Sequence, residues 1–383
     1  MARLSPNIAL NAEALLQKAA EQTGLSDFGD DSFREPYELL LKSLQDEARL
    51  NTQGVIMSQR TILRLLVNRL LTEQAFAANP EMAETPIDRP LYILGFPRTG
   101  TTLLHSLLAC DPASRWLRLW EGLHPAPAPE SLQDDPRIAT TRDWVAGFEK
   151  LVPNLARAHK LDATGPEECL WLIEHTFADL IFELRAHVPS YSKWLVEHEA
   201  DESSYRYYRR QLQMLGWKCR GNHWICKAPR HLPGLGGLLS VFPDARIVQT
   251  HRCAESVLPS ICSLCEITQS AASDTVDKTA IGAHWQQRLL EIERRSGEVR
   301  AAADPAQVLD VQYADLVANP IDTVQRIYEY HSYDYSAEFE NRMKQWLADN
   351  RQHKHGAHRY SLEEYGLDAE TVRTDFTGIK NGQ

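Results

Sequence analysis

The chain has 383 residues, 43% hydrophobic and 24% charged, a composition typical of a soluble globular protein with one large domain or two ordinary ones. Its formal net charge of −11 argues against nucleic acid as the main partner, because binding to phosphate backbones requires a basic surface. No apolar run approaches the roughly 18 residues of a membrane span, so we predict no stable membrane insertion. The seven cysteines include one isolated C-x-x-C pair, Cys262 and Cys265, and we expect free thiols in a cytoplasmic protein.

Residues 1–88 are predicted to form a helical extension that packs on or covers the rest of the chain. Apolar residues between Ile62 and Leu71 recur at helical spacing, with arginine and asparagine between them. Shorter stretches at 12–16 and 39–50 show a similar pattern. The sequence Asp88-Arg89-Pro90 ends this region.

Beyond residue 88, short apolar segments alternate with helical ones. The predicted strands are 91–94, 224–227, 246–250 and 308–311. The predicted helices are 101–110, 166–188, 202–218 and 254–264. This alternation indicates an α/β fold, a P-loop-like parallel sheet flanked by helices. We assign 89–383 to this domain and about 113–222 to helical insertions within it.

The segment between the first strand and its helix has the glycine spacing of a P-loop, Gly95-x4-Gly100-Thr101-Thr102. Glycine permits positive φ, so successive backbone N–H groups can turn toward phosphate oxygens. The following helix N-terminus and the two threonine hydroxyls add further donors. The segment therefore predicts a phosphate-binding loop.

This loop departs from the pattern of nucleotide hydrolases. Their lysine is replaced by Thr101, and the third predicted strand ends in Gln249-Thr250 instead of a magnesium-binding aspartate. Arg98, three residues before Thr101, supplies a cation instead. This arrangement favours group transfer assisted by side-chain cations, without a metal.

The run Pro97-Arg98-Thr99-Gly100-Thr101-Thr102 resembles the 5′-phosphosulfate loop P-[KR]-[ST]-G-T-T of the sulfotransferases that use 3′-phosphoadenylyl sulfate (PAPS). Residues 95–112 are similar to the bacterial branch of that superfamily. The resemblance implies that the loop residues bind the phosphosulfate, and that Arg98 lies beside the transferred group.

Three further segments resemble the same family. Arg252 follows the third strand and Ser260 lies eight residues later, as in the family's 3′-phosphate motif. An arginine offers a fork of donors to a dianionic phosphate. Tyr313 begins a segment that resembles Y-E-D-L-x3-P, in which the tyrosine contacts adenine. The segment 358–367 also resembles the bacterial branch, but it lacks the R-K-G-x-x-G motif that covers the nucleotide in the animal enzymes.

The segment after the second strand resembles the bacterial K-x-P-x-H form. The resemblance implies that Lys227 stabilises the sulfonate and that His231 is the general base, a role that a pKa near neutrality suits. The alternative base is Glu168, which with Glu167 precedes a predicted helix, because other members of the superfamily use a glutamate from a comparable position.

The resemblance thus implies a sulfotransferase that moves a sulfuryl group from PAPS to a hydroxyl and releases the desulfated nucleotide, PAP. The acceptor is predicted to be a moderately apolar alcohol or phenol, bound by 113–222 and the N-terminal helices. His353, His355 and His358 are interpreted as a solvated or anion-facing segment, with no metal site. The alternatives are a P-loop kinase or NTPase, a non-catalytic nucleotide-binding protein, and a helical partner-binding module with a decayed site. The acceptor's identity and the oligomeric state, a homo-oligomer included, stay open.

Overall fold

The computed structural model describes residues 10–153, 160–350 and 360–381. A parallel sheet lies at its centre, and its strands are β1 Leu91–Leu94, β2 Ser114–Trp116, β3 His223–Lys227, β4 Arg246–His251 and β5 Val308–Gln312. The strand order is β2-β3-β1-β4-β5. The four predicted strands are confirmed, and β2 is an edge strand that the sequence pattern did not reveal. The predicted α/β fold is therefore confirmed.

The central strand β1 has neighbours on both sides. Leu91 pairs with Ile225 of β3 on one side and with Arg246 of β4 on the other. The loops at the carboxyl ends of β1, β3 and β4 therefore meet where the strand order reverses, the usual place for a ligand in an open α/β sheet. Alternate residues of β1 face two separate hydrophobic clusters, one on each face of the sheet.

Helices cover both faces of the sheet. Those before β1 are α1 Ala12–Thr23, α2 Arg34–Asp46 and α3 Thr52–Ala78. Those between β1 and β3 are α4 Thr101–Leu108, α5 Leu119–Leu123, α6 Arg137–Leu151, α7 Leu170–Ile173, α8 Ile181–Arg185, α9 Pro189–His198 and α10 Glu202–Gly216. Those after β3 are α11 Leu235–Val241, α12 Ala254–Ser270, α13 Lys278–Ala302, α14 Tyr313–Ala318, α15 Pro320–His331, α16 Ala337–Asp349 and α17 Ala369–Asn381.

The predicted continuous helix over 166–188 is wrong. The chain forms only α7 and α8 there, with a 3-10 turn over Glu174–Thr176 between them. Phe177 ends the 3-10 turn with a left-handed φ of 57°, and its ring packs edge-on against Tyr37 at 4.9 Å. Asp179 then starts α8 by accepting a hydrogen bond from the Ile181 N–H at 2.8 Å. Burial of a large aromatic side chain thus outweighs the helical tendency of this stretch.

The N-terminal helices are joined to the segment after α12 by main-chain contacts. The Asn51 N–H donates to the Ala272 carbonyl at 2.9 Å, and Leu50 forms an antiparallel bridge with Ser273. A Cβ atom at Gly54 would lie only 2.0 Å from the Ala272 oxygen, so no larger residue fits there. Side chains of α1 to α3 also share one hydrophobic cluster with α7 to α12. The domain boundary at residue 88 stays a prediction.

Two further expectations concern cysteines and membranes. All seven cysteines are free thiols, as predicted, and Cys262 and Cys265 are buried in α12. Across the described parts of the chain, no helix combines the length and the apolar character that crossing a membrane would require.

Candidate active site

The loop between β1 and α4, residues 95–100, is shaped by two glycines with positive φ. Gly95 has φ 148°, and a Cβ atom there would lie 2.4 Å from the Thr250 hydroxyl. That hydroxyl lies 2.6 Å from the hydroxyl of Thr99, which is buried. Gly100 has φ 91° and precedes the first residue of α4, Thr101. The loop therefore needs glycine at both ends, as the sequence pattern predicted for a phosphate-binding turn.

Arg98 and Arg252 meet at this loop. Arg98 is exposed and has φ 72°, an uncommon conformation for a residue with a side chain. Its carbonyl accepts a hydrogen bond from Arg252 Nη1 at 3.0 Å. The Arg252 guanidinium carbon also lies 4.3 Å from the ring centroid of Tyr313. Three of the predicted nucleotide-binding residues are thus neighbours in space.

The remaining predicted nucleotide-binding residues lie close to this group in the chain. A Cβ atom at Gly100 would lie 3.0 Å from a ring carbon of Tyr313, so the tyrosine packs against the end of the loop. Thr102 is exposed in the first turn of α4. Ser260 is buried in α12, two turns beyond Arg252.

At the carboxyl end of β3, Lys227 and Glu168 form a buried ion pair. Lys227 Nζ contacts Glu168 Oε1, and the two side chains are only 5% and 12% exposed. The backbone brings them together, because the Cys169 N–H donates to the Lys227 carbonyl at 2.8 Å. The Glu168 N–H donates in turn to the Glu167 carboxylate at 2.9 Å. The alternative base is therefore in contact with the predicted sulfonate ligand.

His231 lies deeper than either residue of this pair. It is fully buried, with its ring packed edge-on against Tyr92 at 4.9 Å and tilted against Tyr208 at 5.8 Å. Its Nδ1 lies 3.4 Å from the Tyr205 hydroxyl, and its Nε2 has no hydrogen-bond partner among the described residues. A general base must come within hydrogen-bond reach of the acceptor hydroxyl. The geometry therefore favours Glu168 over His231.

His105 lies near Lys227 and Glu167, and no motif in the sequence singles it out. It lies on α4, one turn after Thr101, and is buried. Burial and, to a smaller extent, the charge of Lys227 lower its pKa to about 3, against an opposing effect of Glu167. The imidazole is therefore neutral at physiological pH. The only sequence signal was a histidine in a helix that otherwise consists of leucine, threonine and serine.

An ion-pair network occupies the carboxyl ends of β4 and β5. His251 Nε2 lies 2.5 Å from Asp310 Oδ1, and Arg300 Nη2 lies 2.8 Å from Asp310 Oδ2. Burial opposes ionisation of Asp310, but the hydrogen bonds from His251 and Arg300 outweigh it and hold the pKa of this carboxyl below its usual range. Within the described residues, no group of three histidine, cysteine or acidic side chains is placed to hold a metal ion. His353, His355 and His358 lie outside those residues.

A small cleft opens beside the loop, between the ends of β1 and β4 and the helices α13 and α17. Arg252, Thr99 and Thr250 contribute polar atoms to its wall. The loop glycines, the N-terminus of α4 and the Arg252 guanidinium thus bring hydrogen-bond donors and positive charge together at one edge of the sheet of an α/β protein.

Comparison with known proteins agrees with this class. Residues 90–337 match the model of the sulfotransferase family, and the chain belongs to that family. The crystal structure of sulfotransferase STF1 from Mycobacterium tuberculosis H37Rv is 34% identical, with a TM-score of 0.86 over 96% of this chain and 98% of the other. That of STF9 from Mycobacterium avium is 30% identical, with a TM-score of 0.91 over 100% and 98%.

A third relative has a named acceptor. The omega-hydroxy-beta-dihydromenaquinone-9 sulfotransferase Stf3 of Mycobacterium bovis is 24% identical over 326 residues, which cover 80% of this chain and 79% of that protein. These similarities identify a bacterial sulfotransferase and agree with the predicted family.

Proposed function

We propose that this protein transfers a sulfuryl group from PAPS to the hydroxyl of an apolar small molecule and releases PAP. The contact between Arg252 and the Arg98 carbonyl carries the proposal, because it places a second cation next to the phosphate-type loop. A nucleotide with phosphates on both the 5′ and the 3′ position needs two such neighbouring anion sites. ATP has no phosphate at its 3′ position.

The donor is proposed to lie across the ends of β1 and β4. Its phosphosulfate would rest on the N–H groups of residues 98–102, where α4 contributes its N-terminal dipole. Its 3′-phosphate would accept hydrogen bonds from Arg252 and Ser260. The ring of Tyr313, already packed against Arg252, offers a face to the adenine. No metal is needed in this scheme, because Arg98 and Lys227 supply the positive charge.

The chemical step is proposed to use Glu168 as the base. The acceptor oxygen attacks sulfur and its proton passes to Glu168. The bond between sulfur and the 5′-phosphate oxygen breaks, and PAP leaves with the electron pair. Lys227 neutralises charge on the sulfonate oxygens in the transition state. Because Lys227 contacts Glu168 before the donor binds, an arriving anion would draw the ammonium away and free the carboxylate to accept a proton.

The acceptor is proposed to be a lipid-like alcohol. Trp171 lies one turn after Glu168, and its backbone nitrogen is 3.3 Å from the Glu168 carbonyl oxygen. Trp144 packs edge-on against Trp171 at 6.0 Å and stacks on Phe148 at 5.0 Å. This aromatic cluster suits an apolar body, and Stf3 acts on a hydroxylated menaquinone. The role of 113–222 in acceptor binding, the helical extension 1–88 as a separate unit and the cytoplasmic location stay predictions.

Thermal unfolding with different nucleotides tests the donor. A ligand at 100 times its Kd stabilises the native state by about 2.7 kcal/mol, so PAP should raise Tm at concentrations where ATP and AMP do not. Arg252→Ala should lower the affinity for PAP by about tenfold to a hundredfold, since a charged hydrogen bond contributes about 1.5–3 kcal/mol. Its affinity for AMP should stay the same.

Turnover assays separate the alternatives. PAPS with a panel of alcohols and phenols should give sulfated product and PAP without added metal. Magnesium-dependent turnover of ATP would instead support a kinase. PAP binding without any desulfation of PAPS would support a non-catalytic nucleotide-binding protein.

A further inference from the structure

The cleft beside the loop is lined by polar and apolar side chains. Thr99, Thr250 and Arg252 belong to the donor site described above. Three large apolar residues, which we call the apolar wall, come from separate parts of the chain: Phe96 in the loop, Leu232 just before α11, and Phe376 in α17. The other polar residues that line the cleft are Gln249, His251 and Glu293.

Phe376 brings the C-terminal helix into this cleft. It is only 7% exposed, and it belongs to the same hydrophobic cluster as Leu232, with Phe96 packed against that cluster. Val372, one helical turn earlier, is fully buried in the same cluster. These two residues form the inner face of α17, while Thr377 beside them is exposed. The position of Phe376 therefore depends on how the whole of α17 packs against the protein.

Two polar contacts hold α17 on either side of that face. Arg373 Nε lies 2.8 Å from Glu255 Oε1 in the first turn of α12. Asp375 Oδ2 accepts a hydrogen bond from Gln286 Nε2 of α13 at 2.7 Å. Glu255 is three residues after Arg252, so the first contact ties α17 to the segment that carries the proposed 3′-phosphate ligand. Donor site and C-terminal helix are thus fixed relative to each other.

The apolar wall and the proposed adenine site lie at opposite ends of the loop. Tyr313 packs against Gly100, where α4 begins, whereas Phe376 shares the cleft with Gly95 and Phe96 at the end of β1. The nucleotide base already has an aromatic neighbour at the first end. Hydrocarbon at the second end would remove apolar surface of Phe96, Leu232 and Phe376 from water.

We propose that Phe376 is a specificity-determining residue, which with Phe96 and Leu232 forms the wall that takes the hydrocarbon part of the acceptor. This inference rests on the proposed sulfotransfer and extends it, because it assigns acceptor selection to the C-terminal helix. A long apolar alcohol gains contact with this wall, and a short alcohol does not reach it.

The test uses 1-dodecanol and 1-butanol as acceptors with PAPS. Phe376→Ala should raise the KM for dodecanol about tenfold, because the variant loses most of one buried aromatic contact. The KM for butanol and the affinity for PAP should change less than about twofold on the same argument. Phe376→Leu should give an intermediate KM for dodecanol. Thr377→Ala, an exposed neighbour on the same helix, should match the wild type.

A binding measurement removes the dependence on turnover and on one variant. Dodecanol added to the PAP complex should raise the Tm of the wild type more than the Tm of Phe376→Leu. The leucine variant keeps an apolar contact with the core, so this comparison works even if Phe376→Ala does not fold. Equal shifts in Tm, or a loss of PAP affinity in place of dodecanol affinity, would overturn the inference. If the wild type neither binds PAP nor desulfates PAPS, the proposed function fails instead.

Discussion

The two halves of the candidate site hold their charges differently. At the end of β1 and β4, Arg98 is exposed and Arg252 contacts only a carbonyl and an aromatic ring among its described partners. At the end of β3, Lys227 and Glu168 are almost buried and paired with each other. The first half can accept an anion as it stands. The second half must first separate its own charges, which suits a site where reaction follows donor binding.

The largest expected effect concerns the half of the site at the end of β3, which we call the paired half because Lys227 and Glu168 are paired there. Glu168→Gln should lower kcat by about a hundredfold to ten-thousandfold, the usual contribution of a general base, and leave PAP affinity within about twofold. His231→Asn is the matched variant, and it should keep most of the turnover per folded molecule because its ring is buried. Steady-state kinetics and PAP titration measure both. If His231→Asn loses turnover while Glu168→Gln keeps it, the general base is His231 and not Glu168.

The half of the site at the ends of β1 and β4, which we call the open half, depends on the backbone conformation of the loop. Gly100→Ala tests this dependence. The substitution should cost about 1–2 kcal/mol for the left-handed conformation, and more because a Cβ atom would lie 2.9 Å from a Leu316 methyl. Gly24→Ala is the control, since Gly24 has φ 70° but no atom within 4 Å of its Cβ position. Urea unfolding should therefore show the larger loss for Gly100→Ala, which alone should also weaken PAP binding. Equal losses would contradict a loop fixed by close packing.

An effect that appears only at low pH concerns His105, a buried residue of α4 near Lys227 and Glu167. Its pKa is about 3 in the folded protein, because of burial and then of Lys227, and about 6.5 when unfolded. As pH falls below 6.5 the unfolded chain binds this proton first, so the free energy of unfolding decreases toward pH 3. His105→Gln should reduce that slope by at most about 1.4 kcal/mol per pH unit. Urea unfolding at pH 6.5, 5.5 and 4.5 measures how the free energy of unfolding changes with pH in both proteins. Above pH 7 the wild type and His105→Gln should show the same pH dependence. Identical slopes below pH 6.5 would contradict the burial of a neutral imidazole.

The open half was largely predictable from the sequence, and the paired half was not. Gly95, Gly100 and Arg98 are close in sequence, so their spacing already describes the loop that the structure contains. The contact between Glu168 and Lys227 joins two segments that are 59 residues apart, and no local pattern reveals it. The same holds for the burial of His231, since a spacing says nothing about the aromatic rings around a residue.

The fold shows the same division. The strands β1, β3, β4 and β5 are apolar runs beside turn residues, and all were predicted. The edge strand β2 has only three residues, Ser114–Trp116, too few for a periodic pattern. The helix predicted over 166–188 was broken by the left-handed Phe177, whose conformation depends on a partner 140 residues earlier, Tyr37.

The main-chain bridge between residues 51 and 272 has a consequence for the newly made chain. Helices α1 to α3 leave the ribosome first, but the backbone oxygen that receives the Asn51 N–H is synthesised 221 residues later (272 − 51). At about 5–20 residues per second, that interval is about 10–45 seconds. Through that time Asn51 and Gly54 lack the backbone neighbour that they contact in the folded protein. Phe177, the aromatic partner of Tyr37 in α2, is synthesised well before residue 272, so this part of the packing around the N-terminal helices is available before the bridge can form.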